Sequence, residues 1–72
     1  MSKASDRALV RTTAHQMAWT IEALEALSEQ GILTESEVDA VHEVARKVIQ
    51  AAKADPTFLG SKATTRILEW DA

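Results

Sequence analysis

Asp39 and His42 stand three residues apart in a stretch patterned for helix, a spacing with which helical bundles hold carboxylate-bridged metals. Such a site needs both ligands facing the bundle interior and further acids from neighbouring helices. Asp39 falls well off the apolar stripe of its own helix, and Glu22 is only approximately level with His42. His15 lies about a helix length from the end of its segment, out of reach of His42. No metal site is expected, and a solvated or rim position is the default for both histidines. Other chemistry is equally thin. There is no Cys and no Tyr, Gly31 and Gly60 form no phosphate-binding loop, and no Ser-His-acid arrangement emerges. Ser61-Lys62 is an isolated dipeptide. A chain of 72 residues also encloses little volume for a catalytic pocket. No catalytic, cofactor-binding or metal-binding residue is assigned, and the chain reads as non-enzymatic.

Recognition has more to work with. All eight Lys and Arg lie outside residues 12–45, and seven of the eleven acids lie inside: Glu22, Glu25, Glu29, Glu35, Glu37, Asp39 and Glu43. A chain reversal falls within the acidic stretch, so folding is expected to make one tip acidic and the opposite end basic. Lys3, Arg7 and Arg11 open the first helix and Glu25 and Glu29 close it, both against the helix dipole. Local helix stability does not explain these placements. Either they are solvated charge without a role, or they complement a second copy or a basic patch on another protein. Trp19 is the other candidate. It points away from the main apolar stripe, in a row of mostly small residues: Ala8, Thr12, His15, Ala23 and Ala26. Either the C-terminal segment covers it with Phe58, Ile67 or Trp70, or it anchors a partner as an interface hot spot. Partner binding is assigned to Trp19, Glu25, Glu29, Glu35, Arg7 and Arg11.

The elements that must position these groups are helices. Low Gly and Pro content with abundant Ala, Glu, Leu and Val favours helix. Val10, Ala14, Met17, Ile21 and Leu24 form one stripe at spacings of three and four, predicting a helix over about 5–30. Leu27-Ser28-Glu29-Gln30-Gly31-Ile32 reads as a helix end, with Gly31 left-handed and Ile32 against Leu27. Thr34 and Glu37 form a capping box, and Leu33 can staple onto Val38. The turn 31–34 therefore reverses the chain into a second helix over about 35–54, with the stripe Val38, Val41, Ala45, Val48 and Ala52. Val44 and Ile49 widen that stripe. Ala14, Ala18, Ala45 and Ala52 allow close approach of the two backbones. Asp55 and Pro56 open a turn that Gly60-Ser61 ends. Ser61 then caps a segment in which Ala63, Ile67 and Trp70 share a helical face. Thr64, Thr65 and Ile67 are β-branched and suit a strand, but a lone strand would have no partner, so a short helix over about 62–70 is expected.

Size closes the argument. A single domain over 1–72 supplies a small core, and without Cys or a metal cluster the remaining staple is oligomerisation. No apolar run approaches a membrane span, and the start of the chain leads into no signal-peptide core, so a cytoplasmic protein is expected. The sequence reads as an all-α, antiparallel helical hairpin with a short C-terminal helix, pairing into a four-helix-type homodimer. Its expected function is a small protein-interaction module that regulates, inhibits or adapts a larger protein. The alternative is a nucleic-acid-binding hairpin dimer using its basic end. A net charge of −3 and the lack of an aromatic stacking platform weigh against it.

Overall fold

The computed structural model describes residues 3–70, with side-chain surroundings for residues 6–69. It contains three helices and, among the described residues, no strand: α1 Lys3–Glu29, α2 Glu35–Lys53 and α3 Lys62–Trp70. Each boundary has a local cause. At the end of α1, the Ile32 N–H donates to the Leu27 carbonyl at 3.1 Å and the Gly31 N–H to the Ser28 carbonyl at 3.0 Å. This is the Schellman pattern, and Gly31 takes the left-handed φ of +83° that it requires. Ile32 itself remains 63% exposed. At the start of α2, the Glu37 N–H donates to Thr34 Oγ1 at 3.2 Å. In return the Thr34 N–H donates to Glu37 Oε1 at 3.0 Å, so the capping box is complete.

The third helix forms despite its β-branched residues because two of them serve its start. The Ser61 N–H donates to Thr64 Oγ1 at 2.7 Å. The Thr64 N–H donates to Ser61 Oγ at 3.2 Å. Thr64 thus does what Glu or Gln does in an ordinary capping box. Thr65 adds a hydroxyl donation to the Ser61 carbonyl at 3.1 Å. Between α2 and α3, Asp55 organises a turn. Its Oδ1 accepts from the Thr57 N–H at 2.9 Å and from the Thr57 hydroxyl at 2.7 Å. Arg11 in α1 donates to Asp55 Oδ2 at 3.2 Å and to the Thr57 hydroxyl oxygen, tying the beginning of α1 to the segment just past α2.

The core consists of Ala14, Ala18 and Ile21 from α1, Val38, Ala45, Ile49 and Ala52 from α2, and Ala63 and Ile67 from α3. All four alanines expected to allow close helix approach are fully buried. The centre of burial differs from the expected stripe. Val10, Met17, Leu24, Val41 and Val48 are only half-buried, while Ala18, His42 and Ile49 lie inside. At 100° per residue this is a rotation of about 40° on both helices. The cause is α3, which packs on one side of the α1–α2 pair and draws burial toward itself. The default placement of His42 at a solvated rim is thereby corrected. It is 2% exposed, on the α2 flank that turns inward beneath α3. His15 stays at the rim, half-buried, with its ring packed on Phe58 at a centroid distance of 5.1 Å.

Candidate protein-interaction surface

The surface of α1 opposite the core is unusual for a solvated helix. Its exposed residues between 12 and 28 are Thr12, Gln16, Trp19, Thr20, Ala23 and Ala26, and none is charged. The only ionisable acids in that span are Glu22 and Glu25. Both turn toward α3, where Arg66 reaches Glu25 Oε2 at 2.8 Å and Glu22 Oε1 at 3.6 Å. The outer face of α1 is left without charge over about five turns. Trp19 sits in the middle of it and is 61% exposed. Phe58 is occupied by His15 and Ile67 is buried in the core, so neither covers Trp19. The side chain of Trp70 lies outside the described residues.

The charged candidates divide between two ends. Near the connection, Glu25, Glu29 and Glu35 line one shallow cleft of about 350 Å³ together with Ser28, Val38 and Asp39. Glu37 is on the same end and holds its proton less tightly than an ordinary Glu. The Thr34 N–H bond is the main cause and the Thr34 hydroxyl adds to it. At the opposite end Arg7 lines a small apolar dent of about 160 Å³ with Asp6, Val10, Ala51, Ala52 and Asp55. Asp55 is likewise pushed below its ordinary value, first by the Thr57 N–H, then by the Thr57 hydroxyl, with Arg11 and Arg7 contributing charge. Arg11 and Glu25 are therefore engaged within the chain, whereas Arg7, Glu29 and Glu35 remain exposed. The folded charge polarity is weaker than the sequence suggested, because Arg66 travels to the acidic end and Asp55 stays at the basic one.

A larger groove of about 470 Å³ runs between Lys53, Phe58, Gly60, Thr64, Thr65, Leu68 and Glu69. It is open to solvent and contains no nucleophile–base pair. Among the described residues no group of three or more His, Cys, Asp or Glu is placed to hold a metal. Among the described residues no helix is long and apolar enough to cross a membrane. No family model, curated protein or solved structure matches the chain.

One surface escaped the sequence reading. Val10, Met17 and Leu24 of α1 and Val41, Val44 and Val48 of α2 form a flank on the side of the helix pair away from α3. Val44 on this flank is 55% exposed. The signal was present in the sequence as a stripe too wide for one neighbour, but it was read as buried core.

Proposed function

We propose that this protein is a small, non-enzymatic interaction module that regulates, inhibits or adapts a larger protein. In this reading the chain is an antiparallel helical hairpin with a short C-terminal helix, and it pairs with a second copy. The contact with the larger protein lies on the outer face of α1, with Trp19 as anchor. The observation that carries the reading is the exposed Trp19 at the centre of a face cleared of charge. Interface cores are depleted in charged residues and enriched in Trp, and buried Trp dominates their energetics. The acidic cleft of Glu25, Glu29 and Glu35 lies at one end of the same helix. It suits a partner that offers an apolar pocket to Trp19 and Lys or Arg to the cleft. Charges of this kind speed encounter more than they add affinity.

The test is a comparative capture from host-cell extract with the wild-type chain, Trp19→Ala, and Lys62→Ala as the control for truncation of an exposed side chain on another helix. A protein held stoichiometrically by wild type and Lys62→Ala and lost with Trp19→Ala supports the reading. Retention by all three overturns the anchor. Nucleic acid is the second reading, carried by Arg7 and Lys53 at the basic end. It predicts binding to a single-stranded RNA probe that weakens steeply with salt and fails in Arg7→Glu.

A further inference from the structure

The half-buried aliphatic flank of Val10, Met17, Leu24, Val41, Val44 and Val48 needs an occupant, and we infer that it is the same flank of a second copy laid antiparallel, with the acidic end of each protomer beside the basic end of the other. The inference rests on the pairing proposed above and specifies its face and polarity. Three observations carry it.

The first is area. The protomer exposes 5068 Å². A monomeric protein of 7.9 kDa ordinarily exposes about 4400 Å². The excess of roughly 650 Å² approaches the ~800 Å² that each partner contributes to a standard interface. The molecule is correspondingly drawn out, with principal extents of 42 × 25 × 15 Å.

The second is composition. Across the middle of this flank α1 presents Val10, Thr13, Met17, Thr20 and Leu24, and α2 presents Ala40, Val41, Val44, Val48 and Ala51, without a charge among them, while Glu37 stands on the same side of α2 at the acidic end. An uncharged centre on two adjacent helices suits helix-on-helix packing, and Glu37 falls at the end of the flank rather than within that centre.

The third is polarity. The end near the connection carries Glu29, Glu35, Glu37 and Asp39, and the base that reaches it, Arg66, is taken up by Glu22 and Glu25. The other end carries exposed Arg7 and Lys53. Two copies stacked face to face have two closed arrangements. If the two-fold axis runs along the helices, the acidic ends coincide and repel. If it runs across them, each acidic end meets a basic end, and α2 of one copy lies over α2 of the other. Like charges brought together are the costlier choice. In the second arrangement both Trp19 faces stay outside the dimer, so the assembly is bivalent toward its partner.

The chain has no Cys, which makes single-cysteine cross-linking clean. Val44 lies midway between Glu37 and Ala51 on the exposed flank of α2, next to the expected axis. Val44→Cys should cross-link to itself almost completely under mild oxidation. Glu37→Cys and Ala51→Cys should cross-link poorly alone and well when mixed. Val44→Glu should run as a monomer of 7.9 kDa in light scattering while keeping its helical circular dichroism. Trp19→Ala should remain dimeric. A dimer in which Val44→Cys fails to self-link overturns the face or polarity and leaves the pairing and the partner reading standing. A wild-type monomer at micromolar concentration, or a Val44→Glu variant that stays dimeric, overturns the inference. The Trp19 capture experiment is unaffected by either result.

Discussion

At the scale of single residues the clearest consequences lie at the two ends of α2. Gly31 has nothing within 4 Å of the position a Cβ would take, so Gly31→Ala meets no clash and pays only for its left-handed φ. That cost is about 1 kcal/mol. Thr34→Ala removes the side-chain half of the capping box, leaving the Glu37 N–H without Thr34 Oγ1, and should also cost about 1 kcal/mol. Both are read by chemical denaturation, with unchanged slopes if the folded end states are alike. Glu37 and Asp55 supply the pH dependence. Hydrogen bonds from Thr34 and Thr57 hold their folded pKa values below the ordinary 4.5 and 3.8. A lowered folded value means the unfolded chain binds the proton first. The stabilisation is complete above the ordinary values and is lost as pH falls through the folded ones. Melting temperature should therefore drop with acidification below about pH 4.5, and Thr34→Ala should reduce the Glu37 part of that drop only by the smaller share of the Thr34 hydroxyl, since the backbone N–H at 34 remains.

At the scale of elements, burial and exposure predict different outcomes on the two flanks. Ile21 and Ile49 are fully buried, one on each of the paired helices. Ile21→Ala or Ile49→Ala should cost about 2–4 kcal/mol, a large share of the stability a chain this size possesses. Val41 and Val48 are half-buried within the protomer, so their truncation should lower stability in a concentration-dependent way through the pairing equilibrium. Thermal melts across a hundredfold range of protein concentration separate the two cases. Arg66 is a contrast. Its bonds to Glu22 and Glu25 are solvent-exposed, and Arg66→Ala should change stability by less than about 1 kcal/mol. What it should alter is α1's surface, by releasing two carboxylates beside the Trp19 face.

At the scale of the molecule, the two functional proposals use opposite sides of α1 and separate experimentally. Trp19→Ala should mainly speed dissociation from the partner, as for a buried aromatic anchor. Charge reversal at Glu29 and Glu35 should mainly slow association and flatten its salt dependence. Glu25 is expected to matter less than these two, because Arg66 already holds it at 2.8 Å. Surface plasmon measurements across salt concentrations with the captured partner resolve both rates. Indifference to both changes would leave the uncharged face without a role.

Local rules determined much of this protein directly from its sequence. The Schellman end at Gly31, the capping box of Thr34 and Glu37, the turn at Asp55 and the start at Ser61 each depend on a few adjacent residues, and each is realised as a hydrogen bond between neighbours. The all-helical class, the three helix spans and the alanine contacts followed from the same short-range information and from helical periodicity. The tertiary structure alone decided what lies around each helix. A helical wheel marks an apolar arc but not where in that arc a neighbour docks, and the docking of α3 moved the buried centre by about 40°. That movement took His42 inside and left Val41, Val44 and Val48 at the surface. Pairing over long sequence distance was equally invisible. Arg11 with Asp55, Arg66 with Glu25 and His15 with Phe58 all join residues more than 40 apart, and no local pattern encodes such contacts. They withdrew two expected binding residues, Arg11 and Glu25, into the fold's own ion pairs. The same docking gave Glu22 and Glu25 their partner Arg66, whereas the uncharged row around Trp19 was already set by helical spacing.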